Sequence, residues 1–145
     1  MGASKYFTKE QQKQIVDAIK IAEKNTSGEI RVHIESKCNE EVLDRAAWLF
    51  DSLKMNKTEL RNGVLVYVAV DSKKFAIIGD KGINKVVEAD FWNVVKDKMR
   101  SHFAQGELTE GISEAVLEAG VQLKKFFSYQ SDDENELSDE ISFGK

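Results

Sequence analysis

With 145 residues, 41% of them hydrophobic and 9% aromatic, the chain has enough material for one compact domain with a real core and too little for a second. Twenty-one basic against twenty-five acidic residues give a net charge of -4 and a pI near 5.3, which argues against a dedicated nucleic-acid binder or a binder of anionic membranes. A single cysteine, Cys38, excludes an internal disulfide framework and a cysteine-rich zinc site.

No stretch approaches the roughly eighteen apolar residues of a membrane span, and Met1 to Tyr6 has neither the basic start nor the apolar run of a signal peptide. The expectation is a soluble cytoplasmic protein without an integral membrane segment. Gly2 does not extend to a myristoylation motif, because Tyr6 stands where Ser or Thr is required. Gln130 to Lys145 holds Asp132, Asp133, Glu134, Glu136, Asp139 and Glu140 against one lysine, so the rest of the chain is about neutral. Apolar periodicity stops at Phe127. Residues 1–128 therefore read as the domain and 129–145 as an acidic C-terminal tail, with Gln130 to Asp139 expected to be mobile. Proline is absent and arginine is scarce beside lysine, a composition that fits a loose, cold-adapted fold of modest stability and, equally well, an AT-rich genome or chance in a short chain.

Thr8 followed by Gln11 is a capping-box start, and Ile15, Ile19 and Ala22 continue it as a helix to Lys24. Glu29 to Ser36 alternates, with Ile30, Val32 and Ile34 on one face and Arg31, His33 and Glu35 on the other, as in a half-buried strand. Asn39 is the expected cap of a second helix carrying Val42, Ala46, Leu49 and Leu53. Val64 to Val70 is apolar without alternation and reads as a central strand covered on both faces. After a short turn, Phe75 to Ile78 forms a hairpin with it, and Gly79-Asp80-Lys81-Gly82 opens a loop. Asp90 caps a helix with Phe91, Val95, Met99 and Phe103 inward, which Gly106 ends. A last helix opens at Thr109, where Gly120 marks close helix packing.

A strand, a crossover helix and a second strand place the two strands parallel, and the hairpin adds an antiparallel third. The fold class is α/β, a mixed sheet between helix layers. One edge of that sheet must gather Ser27 to Glu29, Asn62 and Gly63, and Asp80 to Gly82; the other gathers Ser36 to Glu41 with Asp71 to Lys73.

Chemistry is sparse. The histidines, His33 in a strand and His102 on a helix surface, do not supply a Ser-His-Asp triad, and Cys38 reads as a spectator thiol. The glycines near Asp80 match neither the P-loop nor the dinucleotide pattern. What remains is oxygen ligands on one edge, Glu29, Asn62 and Asp80, with Glu88 or Asp90 just beyond. Hard cations such as Ca²⁺ take carboxylate, amide and carbonyl oxygens, and glycine-rich loops turn carbonyls inward. The same residues also read as a strand-end charge, a turn residue and a helix cap.

Taken in order, Thr26-Ser27-Gly28-Glu29-Ile30-Arg31-Val32, the run Arg61 to Ala69, Asp71 to Phe75, Gly79 to Gly82, and the spacing of Phe103, Gly106 and Gly111 resemble the TPM domain family over about residues 8 to 127. The resemblance implies a three-layer α/β/α sandwich. It also implies the acid-phosphatase activity and Ca²⁺ binding reported for the plant thylakoid branch, and roles in assembling or modulating membrane complexes. Arg61-Asn62-Gly63 departs from the Asp-Asn-Gly of many relatives, Gly79 to Gly82 departs from Gly-aromatic-Gly, and the usual signal peptide and membrane helix have no counterpart. The leading expectation is a divalent cation, Ca²⁺ first, held by Glu29, Asn62, Asp80, Glu88 and Asp90. The alternatives are a metal-dependent phosphatase for phosphomonoesters, and an interaction module whose acidic tail docks on a basic protein partner.

Overall fold

The computed structural model describes residues 2–128 and 140–144. Among the described residues, five α-helices and four strands follow a short 3-10 turn at Gly2–Tyr6. Helix α1 (Lys9–Glu23) starts as the sequence implies: Thr8 Oγ1 accepts from Gln11 N at 3.0 Å, and Gln11 Oε1 accepts from Thr8 N at 2.9 Å. Ile15, Ala18, Ile19 and Ala22 form its buried stripe. Strand β1 (Glu29–Glu35), helix α2 (Val42–Ser52) and strand β2 (Gly63–Ala69) form the crossover unit, and β3 (Lys74–Gly79) closes the hairpin. β1 runs parallel to β2, with Glu29 opposite Gly63 and Glu35 opposite Ala69, while β3 is antiparallel to β2. Every residue of β2 is buried, which accounts for its unbroken apolar run.

The alternation of side chains across the sheet creates two cores. Ile30, Val32, Ile34, Val64, Val66, Val68 and Ile77 pack beneath α1, α4 (Phe91–Ala104) and α5 (Leu108–Phe126). Leu65, Tyr67, Ala69 and Ala76 pack on the opposite face against α2, with Cys38 and Met55. The result is an α/β/α sandwich with three helices on one face and one on the other. α1 and α5 approach closely at Gly120, where a Cβ would come within 2.7 Å of the Ala22 Cα, so the glycine serves packing as the sequence implies. Gly106 ends α4 in the left-handed region at φ 78°. None of the described helices is long and apolar enough to cross a membrane.

Three local expectations are corrected. α2 is capped by Glu41, whose side chain accepts from Leu43 N at 3.4 Å, and not by Asn39. The loop at Gly79 to Gly82 contains a one-turn helix, α3 (Lys81–Asn84), which Asp80 caps. Asp90 occupies the N-cap position of α4 without a side-chain cap hydrogen bond.

The sheet also has a fourth strand. β4 (Ser142–Phe143) runs parallel to β1, with Ser142 opposite His33 and Phe143 opposite Ile34, giving the order β3-β2-β1-β4. Gly144 N donates to Ile34 O at 2.7 Å, and Gly144 O accepts from Ala3 N at 3.1 Å. Ile141 and Phe143 pack against the main core. The end of the acidic segment is thus part of the fold, while the mobility expected for Gln130 to Asp139 concerns residues outside those described.

Candidate functional site

The parallel register brings the first expected edge together. Glu29 N donates to Asn62 O at 3.5 Å, Asp80 N to Gly63 O at 2.9 Å, and Gly82 N to Arg61 O at 2.8 Å. Glu29, Asn62 and Asp80 are all buried around this junction, and Asn62 Nδ2 reaches Ser27 Oγ at 3.4 Å. Arg61 grips Asp80 by both oxygens, Nε to Oδ2 at 2.7 Å and Nη2 to Oδ1 at 2.9 Å, and Lys81 N adds a third donor at 2.7 Å. A planar guanidinium matches a carboxylate in this two-pronged way, so the chain's own cation stands where a metal would sit on Asp80. Glu88 and Asp90 lie beyond α3 and are exposed. Among the described residues no group of three or more His, Cys, Asp and Glu is arranged to hold a metal ion. Glu29, Asn62 and Asp80 therefore meet, but together with Glu88 and Asp90 they do not form a ready hard-cation cage.

The opposite edge holds more titratable groups. Glu35, at the carboxyl end of β1, is 4% exposed and accepts from Arg45 through both Nε, at 3.1 Å, and Nη2. Tyr67 OH adds a bond of 2.7 Å, and His33 Nε2 lies 3.2 Å from Oε1. Burial alone would raise the Glu35 carboxyl, but the bonds from Arg45, Tyr67 and His33 outweigh it and hold it below the usual carboxylate range. Burial, reinforced by Glu35, pushes the Tyr67 phenol far up. His33 is 5% exposed, not a solvated strand residue, and burial lowers it despite the neighbouring carboxylate. Cys38 is likewise buried, with Sγ 3.4 Å from Glu40 O.

His33 Nδ1 lies 2.8 Å from Ser142 Oγ, which completes a line Ser142–His33–Glu35. An ionised Glu35 only accepts, so Nε2 carries the proton and Ser142 donates to Nδ1. The arrangement resembles a hydrolase relay, yet Glu35 spends its charge on Arg45 and Tyr67 and has little left to raise the basicity of His33. Its work is structural: it ties β4 to β1 and satisfies a row of buried polar atoms. Sequence reasoning missed it because Ser142 is more than a hundred residues from His33 and lies in the acidic segment.

The two histidines should titrate in opposite directions. His102 is raised by its hydrogen bond to Glu107 Oε1 at 2.8 Å, with Glu114 adding to it. Lowered His33 contributes stability above about pH 6.5 that is lost as the pH falls below it. Raised His102 contributes stability below about pH 6.5 that is lost as the pH rises through its folded value. Imidazole carbon-bound proton shifts followed against pH should place His33 below 6.5 and His102 above it; the reverse order would contradict the network described.

A family model, described as TPM domain, matches residues 3–122. Among solved structures, the chain is 50% identical to the BA42 protein of the psychrophilic bacterium Bizionia argentinensis, determined by NMR, with a TM-score of 0.86 and 94% of each chain covered. It shares the fold, at 18% identity and a TM-score of 0.70, with the N-terminal domain of a protein from P. gingivalis, covering 86% of this chain and 82% of that one. The N-terminal domain of the cg2496 protein of Corynebacterium glutamicum gives 14% identity, a TM-score of 0.63 and coverages of 87% and 78%. No curated protein matches.

Proposed function

The chain belongs to the TPM domain family, and we propose that within it this protein is a divalent-cation-binding module, with Ca²⁺ the first candidate, serving a modulatory or assembly role rather than acting as a phosphatase. The observation that carries this reading is where the acidic segment is anchored. Ser128 forms a bridge with Thr26, Ser27 N donates to Phe127 O at 2.9 Å, and Thr26 Oγ1 donates to Leu123 O at 2.9 Å. The segment leaves the domain beside Ser27 to Glu29, at the edge where Glu29, Asn62 and Asp80 meet, and its far end is fixed by β4 on β1. Asp132, Asp133, Glu134, Glu136, Asp139 and Glu140 lie between these two points in the sequence. Carboxylates brought to one site repel one another, and a hard divalent cation relieves the repulsion, so binding stabilises the fold by mass action. Arg61 on Asp80 weakens the contribution of the sheet edge, so this reading draws on the acidic segment for further carboxylates.

The enzyme reading is less favoured because Asp80 is held by Arg61 and Glu35 by Arg45 and Tyr67, leaving neither poised as general acid or base. A Ca²⁺ titration followed by backbone amide shifts should move residues 26–29 and 61–63 together with the acidic segment. Asp132→Asn with Asp133→Asn should weaken the response, and Asp71→Asn, at the other edge, should not. Shifts confined to residues 36–41 and 71–73 would overturn the assignment, and metal-stimulated hydrolysis of p-nitrophenyl phosphate would favour the phosphatase instead.

A further inference from the structure

We propose that the crevice between the β2–β3 turn and the end of α4 binds a small anionic amphiphile, an apolar chain carrying a single carboxylate. The crevice encloses about 620 Å³, within the ~300–1,000 Å³ of ligand sites. Its floor is apolar: Val68 and Val70 at the carboxyl end of β2, Phe75, Phe103 and Leu108. Phe75 and Phe103 meet edge to face with centroids 5.1 Å apart, so one wall is a fixed aromatic corner. Val70, Phe75, Phe103 and Leu108 remain only partly buried although they pack on the main core, leaving apolar surface that a chain could cover.

The rim decides the sign of the ligand. The lining contains Lys73, Lys74 and Arg100 and neither Asp nor Glu. Lys74 is committed elsewhere, its Nζ donating to Cys38 O and Glu40 O at 3.2 Å on the other face of the sheet. Lys73 and Arg100 remain. The Arg100 guanidinium lies over the Phe75 ring, 5.6 Å from its centroid, and pairs at 2.8 Å with Asp97. That pair is exposed on both sides, an arrangement of small net stability that a ligand carboxylate can replace. Lys73 takes φ 54°, a left-handed conformation that glycine would adopt without strain, and it sets the side chain at the mouth of the crevice. Apolar floor and rim cations opposed only by the exposed Asp97 together fit a chain with an anionic head, whereas a neutral chain would leave both cations without a ligand charge.

The test uses the full chain labelled with ¹⁵N and three probes of equal chain length below their aggregation thresholds: decanoate, decanol and decyltrimethylammonium. Decanoate should shift amides of residues 68–75 and 100–108 and bind about tenfold more tightly than decanol, the scale of one charge-assisted hydrogen bond. Lys73→Glu combined with Arg100→Glu should abolish that preference and favour the ammonium probe, with an unchanged melting curve showing that the fold persists. Equal affinity for decanoate and decanol, shifts elsewhere, or charge reversal without effect would each overturn the proposal. So would a response to anionic phospholipid vesicles with none to monomeric decanoate, since that would make the crevice a membrane contact.

Discussion

Replacing Glu35 by alanine should cost about 3 kcal/mol of folding stability, the lower end of the ~3–5 kcal/mol for breaking a buried ion pair by removing one partner. Glu35 is 4% exposed, but Arg45 keeps 27% of its side chain in solvent and can recover part of its hydration once unpaired. The loss is still more than one bond, because Tyr67 OH and His33 Nε2 both lose the carboxylate that accepts from them inside the fold. Tyr67→Phe removes a single donor and should cost only ~1 kcal/mol. Against a typical total of ~5–15 kcal/mol the first change is severe and the second mild. Urea denaturation followed by tryptophan fluorescence measures both; a Glu35→Ala midpoint equal to the parent's would mean that Arg45 and Tyr67 do not depend on the carboxylate.

The pH dependence of stability follows from the same residue. A carboxyl depressed in the folded state contributes stability above its unfolded value, near 4.5, and that contribution disappears as the pH falls through the lower folded value. His33 acts in the same direction from about pH 6.5 downward, since it folds as the neutral imidazole. Acid should therefore weaken the β1–β4 junction in two stages, first through His33 and then through Glu35.

Where a residue's role depended on neighbours close in sequence, the chain was readable. The Thr8–Gln11 box, the buried run of β2 and the close approach at Gly120 each follow from local spacing or from the absence of a side chain. The meeting of Glu29, Asn62 and Asp80 followed from topology alone, because parallel β1 and β2 with an antiparallel β3 leave no other arrangement of their ends. What the pattern did not contain was pairing across long separations. β4 is two residues long and begins with serine, too short for alternation to register. His33 and Glu35 stand on the polar side of an alternating strand and so read as solvated. They are buried because Arg45 reaches from α2 and Gly144 presses on the Glu35 side chain, where a Cβ would come within 2.8 Å of Oε1. The Arg61–Asp80 grip is of the same kind: both residues were noted beside the edge, but only their bidentate geometry turns a nearby cation into an occupant of the carboxylate.

Gly82→Ala should be among the most damaging single changes at that edge. Gly82 lies inside α3, where alanine is intrinsically preferred by about 1 kcal/mol, so propensity alone predicts a gain. Packing reverses the sign. A Cβ there would come within 2.6 Å of the Arg61 carbonyl oxygen and closer still to that of Leu60, and backbone atoms cannot rotate out of the way as a side-chain tip would. Arg61 itself sits at φ 52° and its carbonyl accepts from Gly82 N at 2.8 Å, so moving it disturbs the turn that aims the guanidinium at Asp80. The overpacking term, toward the upper end of ~1–3 kcal/mol, exceeds the propensity gain and leaves a net loss of about 2 kcal/mol. Gly106→Ala offers the contrast: nothing stands within 4 Å of its Cβ position, and the cost there is left-handed strain alone, about 1 kcal/mol. Thermal melts of the two variants should separate them in that order, and amide shifts in Gly82→Ala should spread through residues 58–63 while those in Gly106→Ala stay at the α4–α5 connection. A Gly82→Ala protein as stable as its parent, with unshifted amides at Arg61 and Asn62, would show that the edge is slack enough to admit a methyl group and that Asp80 is not held rigidly against Arg61.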